Sequence, residues 1–383
     1  LAQIAKINPK EIESYKKFAK SLDGIYRVGF ELIDKPFSSL WDMVRVIPEM
    51  IKLRSDRSVY KFAAKYFKDE KLREAFSFHP LLIGGNPFTS TSIYAMIHAL
   101  EQKFGVWFAM GGTGALVKAF GDLFRDIGGR IYTEAEVAEI LVAGGKATGV
   151  KLKSGEKLET DAVVSNADVA WTYLNLIRSE ARRKYTDAKV KKMTYSMSLF
   201  VIYFGTNRKY DSIAHHEILL GRRYKGLLDE IFVDKTLADD FSLYLHRPTA
   251  TDQSLAPEGC DSWYVLSPVP HLGAQIDWRT QAKPYRDKII NYLEENYLPE
   301  LSKHIVSEHY IDPLHFEGTL NSYLGSAFSV EPTLMQSAYL RPHNQSEDIP
   351  NLYFVGAGTH PGAGLPGVIS SGKIVGNLIG NAG

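Results

Sequence analysis

The segment that decides the fold runs from Asn351 to Gly372 and reads NLYFVGAGTHPGAGLPGVISSG. Residues 352–355 form a short apolar run that predicts a buried strand, and Pro366 or Gly367 opens a closing helix. Between strand and helix lie glycines that let a ligand approach the backbone closely. A strand, a glycine loop and a helix start predict a site for an anion or an electron-rich ring, because free N–H groups point outward there.

Three of these glycines, Gly362, Gly364 and Gly367, also fit the G-x-G-x-x-G pattern of dinucleotide-binding turns. That fingerprint requires a second parallel strand after its helix and an acidic residue about twenty positions further on. The tail that follows, through Gly383, contains no Asp or Glu. The three glycines therefore do not indicate a complete dinucleotide-binding unit, and for them alone an ordinary Gly/Pro turn before a helix is the alternative.

The composition bounds the possible functions. The chain has 383 residues, 45% of them hydrophobic, which suffices for two domains or one large interrupted domain. Lys and Arg total 45 against 44 for Asp and Glu, so no overall field favours nucleic acid. The single cysteine, Cys260, excludes an internal disulfide framework and a zinc cluster built on cysteines. No apolar run approaches the length of a membrane span, and no signal peptide is visible.

Residues 1–104 predict successive helices. One runs from about Pro9 to Ala19, and a second follows Pro36 and is expected to kink at Pro48. The second helix is apolar on all sides and carries basic residues at one end. This pattern fits a helix in a membrane interface and a buried helix equally well.

Residues 105–170 differ in texture. Gly111 to Gly114 opens an amphipathic helix, and strands are predicted at 130–132, 137–142 and 147–152. A short β-branched run at 162–165 reads as a buried parallel strand that feeds Asn166, Ala167 and Asp168.

Residues 171–345 combine strands at 196–204, 217–220, 241–246 and 262–266 with a long helix near 284–297. Many strands and one helix predict an α+β domain with a mixed or antiparallel sheet. The basic cluster between Arg178 and Lys192 is interpreted first as a solvated linker and second as a contact for an anionic membrane surface.

The full stretch at 351–372, with Thr359, His360 and Pro361 among its glycines, resembles the C-terminal signature of bacterial-type carotenoid (phytoene) desaturases, FAD-dependent enzymes of the flavin amine oxidase-like superfamily. Residues 111–168 resemble the second conserved block of two-dinucleotide-domain flavoproteins. The resemblance implies an α/β and α+β fold, with a split Rossmann-like FAD-binding domain at 105–170 and 346–383. It further implies a mixed-sheet substrate-binding domain at 171–345 and a helical membrane-facing region at 1–104. The N-terminal unit that grips the FAD pyrophosphate is expected to be missing.

The same resemblance assigns the cofactor contacts. The isoalloxazine and ribityl part of FAD would lie against Gly356, Ala357, Gly358, Thr359, His360, Pro366, Gly367 and Val368, and the backbone at Val137 would meet the adenine. For His360, a structural hydrogen bond and a flavin-tuning role are both open. The helix that starts near Gly367 would stabilise negative charge on the reduced ring.

Asp42 and Arg45 are the catalytic candidates. They lie three residues apart and share a helix face, so a surface ion pair is the alternative. The resemblance implies acid-base roles for both. A carboxylate beside a dry cavity would have a raised pKa and would act as a better base.

No metal site is predicted. Adjacent histidines such as His215 and His216 would point to opposite faces of a strand, and no H-E-x-x-H spacing occurs.

Together these expectations describe an oxidoreductase that takes a long apolar, phytoene-like polyene from the membrane and introduces double bonds, with oxygen or a quinone as electron acceptor. It would be peripheral, on the cytoplasmic side of the cell membrane, and would bind no nucleic acid. The alternatives are a catalytically inactive fragment, a lipid-binding protein without FAD, or a related carotenoid isomerase, ketolase or diapophytoene desaturase.

Overall fold

The computed structural model describes residues 1–380, apart from the side chain of Glu31. Its α-helices are α1 Ala2–Ile7, α2 Ile12–Leu32, α3 Leu40–Lys52, α4 Val59–Tyr66, α5 Glu70–Ala75, α6 Met96–Phe104, α7 Gly112–Asp126, α8 Val169–Trp171, α9 Asp187–Lys192, α10 Tyr224–Asp229, α11 Trp278–Asn296, α12 Leu301–His304, α13 Pro313–Gly318 and α14 Leu365–Ile379. Its strands are β1 Val137–Ala143, β2 Lys146–Leu152, β3 Lys157–Glu159, β4 Val163–Ser165, β5 Ser198–Thr206, β6 His216–Leu219, β7 Leu243–His246, β8 Asp261–Val269, β9 Ile305–Ile311 and β10 Leu352–Phe354.

The chain divides into two compact units. The first contains Leu1–Gly105, Glu136–Met197 and Asn321–Gly383, and the second contains Val106–Ala135 and Ser198–Leu320. These bounds differ from the predicted functional divisions, since residues 106–135 fall in the second unit. The functional division at 105, 171 and 346 stays a prediction, because compactness does not test function.

The helical part of the first unit confirms the predicted run of helices. A single 3-10 turn at Pro9–Glu11 leads into α2, which continues well beyond the predicted end at Ala19. Phe18, Leu22 and Ile25 recur at helical spacing on α2 and are almost fully buried. They form a core with residues of α4, α5 and α6, so the aromatic content of this region serves packing.

Helix α3 is held differently. It begins with a capping box at Ser39, contains Pro48 and has no buried residue. Trp41 is 72% exposed and Ile51 66%, so the interpretation of α3 as a plain buried helix is wrong. Among the helices of residues 1–380, none combines the length and the apolar character that a bilayer crossing requires.

Two small sheets position the glycine loop within the first unit. Strands β1, β2 and β3 form an antiparallel meander, and β10 pairs in parallel with β4, as predicted for residues 162–165. The Asn351 side chain connects the two sheets. Its Oδ1 accepts from the Ala147 N–H at 2.8 Å, and its Nδ2 donates to the carbonyls of Ala147 and Asp161, both at 2.7 Å.

The second unit is built on a five-stranded antiparallel sheet in the order β6-β7-β8-β5-β9. Helix α11 buries Trp278, Tyr285, Ile289 and Leu293 in the core of this unit. The sheet therefore takes the antiparallel form of the predicted domain, and β9 is a strand that the sequence patterns missed. The predicted strand at 130–132 is wrong, because no strand of the described residues pairs with it.

Candidate flavin and substrate site

The glycine loop leaves β10 along a fixed path. The Val355 N–H donates to the Ser165 carbonyl at 3.0 Å, and the Gly356 N–H donates to Ser371 Oγ at 2.8 Å. Ser371 lies on α14 and is fully buried. Gly356 has a φ of 99°, which a residue with a side chain rarely adopts. The loop is thus tied to β4 at its start and to α14 across its base.

Two glycines are required because the loop packs tightly against protein. A Cβ at Gly358 would lie 2.6 Å from Val169 Cγ1 and 2.7 Å from Ser329 Oγ. A Cβ at Gly367 would lie 2.6 Å from the Gly362 carbonyl oxygen. At these positions the missing side chain serves internal packing, whereas the sequence predicted only the approach of a ligand.

The buried guanidinium of Arg341 is hydrogen-bonded to the backbone of the loop. Arg341 is only 2% exposed and donates to the carbonyls of Ala357 at 2.6 Å and Thr359 at 3.1 Å. It also donates to the carbonyls of Val330 at 2.9 Å and Gln336 at 3.1 Å. Burial lowers the pKa of Arg341, and the four carbonyl dipoles face its donors. No sequence pattern indicates this role of Arg341, because its partners are backbone oxygens.

Thr359 and His360 are fixed in the same way. Thr359 Oγ1 donates to the Pro342 carbonyl at 2.7 Å, and Asn344 Nδ2 donates to the His360 carbonyl at 2.8 Å. The His360 ring lies edge-on to Phe37, with centroids 4.9 Å apart, and its Nε2 is 3.3 Å from the Leu32 carbonyl. Burial lowers the pKa of His360 to about 4, so the ring is neutral at pH 7.

Two other predicted contacts are engaged within the loop. Ala357 supplies a carbonyl to Arg341, and the Val368 N–H closes the first turn of α14 on the Gly364 carbonyl at 2.9 Å. A flavin could therefore contact Ala357 through atoms other than its carbonyl oxygen, and Val368 through atoms other than its N–H.

An apolar cavity of about 320 Å³ lies beside the loop. One wall consists of loop and helix-start residues, including His360, Pro361, Gly364 and Gly367. A second wall comes from α2, α3 and α6, and includes Val28, Leu32, Met43, Val46, Met50 and Ile97. The cavity thus offers an apolar space bordered by the N-terminus of a 15-residue helix.

These features fit a flavin ring. Gly364 is the N-cap of α14, has a φ of 93° and exposes backbone without a side chain to the cavity. The first turn of α14 has N–H groups that lack partners within the helix. A flat, partly apolar ring system suits the cavity wall, and its carbonyl edge suits the helix N-terminus.

Asp42 and Arg45 occupy a different position from the one expected. Asp42 Oδ2 accepts from the Ser39 N–H and from Ser39 Oγ, both at 2.9 Å, and so completes the capping box of α3. Its pKa is lowered, because these bonds and the charge of Arg45 outweigh desolvation; the expected upward shift is wrong. Arg45 is exposed, and neither residue lines the apolar cavity. The sequence does contain the signal for this role, a Ser three residues before an Asp at a helix start.

Val137 lies at the start of β1, half-buried, and pairs with Leu152. This edge position leaves its predicted contact with adenine as a prediction.

Comparison with known proteins places this site in a family. The family described as flavin containing amine oxidoreductase matches residues 5–379. The chain therefore belongs to this family, and the predicted cofactor, FAD, is confirmed.

The phytoene desaturase (lycopene-forming) of Pseudescherichia vulneris is 50% identical over 380 residues, which cover 99% of this chain and 77% of that protein. The phytoene desaturase (neurosporene-forming) of Rhodobacter capsulatus is 46% identical over 388 residues, which cover 100% of this chain and 74% of that protein. Within the family the chain stands among the bacterial carotenoid desaturases, as predicted.

Solved structures agree on the architecture. An oxidoreductase from Methanosarcina mazei superposes with a TM-score of 0.60 at 19% identity, over 88% of this chain and 72% of that chain. At this identity the likeness shows the fold alone. The predicted FAD-binding fold with mixed helix and sheet content is confirmed.

Proposed function

We propose that the chain is a FAD-dependent desaturase that introduces double bonds into phytoene or a closely related long apolar polyene. The observation that carries this proposal is the high identity to phytoene desaturases along nearly the whole chain. The apolar cavity beside the glycine loop supports it, because a hydrocarbon offers no groups for specific polar contacts and is held by shape and burial.

When bound, the flavin supplies a hydride acceptor for the removal of hydrogen from carbon. The chain's own residues would hold the ring and keep the site dry. Arg341, Thr359 and Asn344 fix the loop, and Met43, Val46 and Met50 exclude water from the cavity. The N-terminus of α14 would stabilise negative charge at the carbonyl edge of the ring. We further propose that the backbone at Val137 meets the adenine.

The proton of the reaction requires an acceptor, and Asp42 is the proposed one, with Arg45 keeping it ionised. Asp42 precedes Met43, which lines the cavity, and the proposed role requires its carboxylate to leave the capping box and turn towards a bound polyene. The carboxylate is ionised at pH 7 and can accept a proton, but its lowered pKa makes it a weaker base than the sequence predicted.

Two variants separate catalysis from capping. Asp42→Asn removes the base, and Ser39→Ala breaks the same capping box while leaving the carboxylate in place. If Asp42 is the base, Asp42→Asn lowers desaturation by orders of magnitude with unchanged flavin content, and Ser39→Ala has a much smaller effect. Equal losses of desaturation activity in the two variants would show that Asp42 acts only as part of the helix cap.

We propose that α3 lies in the membrane interface and that the protein is peripheral on the cytoplasmic side of the cell membrane. The two sides of α3 differ in their surroundings: Met43, Val46 and Met50 line the cavity, whereas Leu40, Trp41, Val44, Ile47 and Ile51 are exposed. An apolar face in contact with lipid would let a polyene pass from the bilayer to the cavity along one helix. Oxygen or a quinone would then reoxidise the flavin.

Liposome flotation tests this proposal. Trp41→Ser should weaken binding to vesicles, and Trp107→Ser, a change of another exposed tryptophan, should leave binding intact. Salt should release the protein only partly, because apolar insertion is unscreened. Complete release by moderate salt would assign binding to the basic residues instead.

The activity is tested by supplying phytoene in liposomes to the purified chain with FAD and separating the products by chromatography. New conjugated polyenes would support the proposal. Bound flavin without products would oppose a phytoene substrate. The absence of a flavin absorbance band from the protein, after addition of FAD and removal of the unbound excess, would favour a passive lipid binder.

A further inference from the structure

Three histidines meet at one corner of the sheet of the second unit. His216 begins β6 and lies directly opposite His246 at the end of β7. His215 precedes the strand, and its ring stacks on His216 with centroids 4.2 Å apart and lies 4.8 Å from the ring of His246. The expectation that His215 and His216 point apart is therefore wrong, because β6 begins at His216 and the alternation of strand side chains does not extend to His215.

The donor atoms of the cluster face one another. One ring nitrogen from each histidine lies within 4.8 Å of the others, and the Nδ1 atoms of His216 and His246 are 3.3 Å apart. Two nitrogens bound to one tetrahedral zinc ion at about 2.0 to 2.1 Å lie roughly 3.3 Å apart. The spacing of this pair already matches one edge of such a site.

Neighbouring side chains orient the ligands. His215 Nδ1 is 2.6 Å from Thr251 Oγ1, which leaves Nε2 as its free donor atom, and this Nε2 is buried without a hydrogen-bond partner. Tyr244 Oη lies 2.6 Å from His216 Nδ1 and 3.3 Å from His246 Nδ1. A ligating histidine commonly bonds through its other nitrogen to a polar group that fixes its orientation, and Thr251 has this position for His215.

The charged groups next to the cluster also allow a cation to bind. The neighbouring cation, Arg247, lies 3.3 Å from carboxylates of both Asp211 and Asp261, which offset its charge.

We propose that His215, His216 and His246 form a binding site for one divalent transition-metal ion of the zinc class, with Tyr244 Oη or water at the fourth position. Three imidazoles without thiolate or carboxylate favour Zn²⁺, Cu²⁺ or Ni²⁺ over Mg²⁺ and Ca²⁺. Because His216 is exposed, the ion would enter from solvent, and it would link the paired strands β6 and β7 to His215, the residue before β6. The proposal does not depend on the proposed substrate.

Cobalt titration of the purified chain, stripped of metal with a chelator, tests the site. One equivalent of Co²⁺ should produce visible d–d bands, and Zn²⁺ should abolish them. His216→Ala should weaken binding by roughly 100-fold or more, because it removes a ligand, and Thr251→Val should weaken it by roughly 10- to 100-fold, because it removes an orienting partner. His216 is exposed, so its replacement leaves the core intact, as circular dichroism can verify.

His309→Ala is the matched control. His309 is an exposed histidine on β9 of the same unit, so its loss should leave the affinity unchanged. No bands with the parent chain, or equal affinities for His216→Ala and His309→Ala, would overturn the proposal and assign any bound cobalt to adventitious surface sites.

Discussion

The two walls of the apolar cavity are built on different principles. On the loop wall, Arg341 is nearly fully buried, and Thr359 and Asn344 add further hydrogen bonds to backbone carbonyls. On the other wall, α3 has no buried residue, begins at a capping box and presents Met43 and Met50 to the cavity.

This difference teaches which wall is fixed and which can adapt. A satisfied buried polar network specifies one backbone geometry, whereas unbranched methionines on an exposed helix fill space in several ways. The fixed wall suits a cofactor of constant shape, and the adaptable wall suits a long hydrocarbon whose conformation changes as double bonds are added.

Of the variants considered, removal of the buried Arg341 guanidinium should lower the stability of the loop wall most. Arg341→Met leaves four carbonyls without their donor, and we expect the free energy of unfolding to fall by about 4 kcal/mol, with loss of bound flavin. Urea denaturation measures the change. Arg45→Met, on the exposed face of α3, should cost less than about 0.5 kcal/mol. Similar losses in the two variants would contradict the assignment of the loop as the fixed wall.

The pH dependence of stability should also differ between the walls. His360 has a pKa of about 4 in the folded chain and about 6.5 when unfolded, so its contribution is present above pH 6.5 and is lost as the pH falls towards 4. The expected loss is up to about 3 kcal/mol. The pKa of Asp42 is lowered below its ordinary 3.8, so its contribution is lost only below that pH.

Thermal denaturation between pH 4 and 7 can separate these contributions. His360→Gln should flatten the slope of stability against pH relative to the parent chain, and Asp42→Asn should leave that slope unchanged in this range. An unaltered slope for His360→Gln would show that the ring is not buried in its neutral form.

Two glycine substitutions should change the free energy of unfolding by smaller amounts and in opposite directions. Gly358→Ala places a methyl group within 2.6 Å of Val169 and should destabilise the chain by about 1 to 3 kcal/mol while lowering flavin content. Gly372→Ala, inside α14, meets nothing within 4 Å and should stabilise by about 0.5 to 1 kcal/mol. Calorimetry and flavin absorbance measure both. Equal changes in the two variants would mean that loop packing does not restrict position 358.

The smallest change in stability is expected when the N-cap of α3, Ser39, is replaced. Ser39→Ala should reduce stability by about 1 kcal/mol and should increase hydrogen exchange in α3 without altering the glycine loop. Increased exchange at residues 356–367 would show that the two walls are coupled.

The parts of this molecule that could be predicted from sequence are those with local patterns. The strand, loop and helix at 352–379 and the parallel strand at 163–165 follow from short apolar runs and from glycine and proline positions. The family resemblance rests largely on the same residues, and the comparisons with known proteins over nearly the whole chain confirm it.

The features that sequence reasoning missed depend on distant partners. Arg341 bonds to carbonyls between residues 330 and 359, and the histidine cluster depends on the register of β6 against β7. The error on the pKa of Asp42 has a local cause, because the hydrogen bonds from Ser39 help to outweigh the desolvation that was expected to raise it.

The parallel pair of β4 and β10 has a consequence for the time course of folding. The Asn351 amide that joins these sheets reaches a residue 190 positions earlier in the chain, Asp161. Closing a loop of this length costs roughly 5 kcal/mol of chain entropy before any contact compensates it, and such non-local pairings form slowly. During synthesis, β4 emerges from the ribosome long before β10. The two halves of the flavin wall therefore meet late, and cofactor loading has to follow translation of the glycine loop.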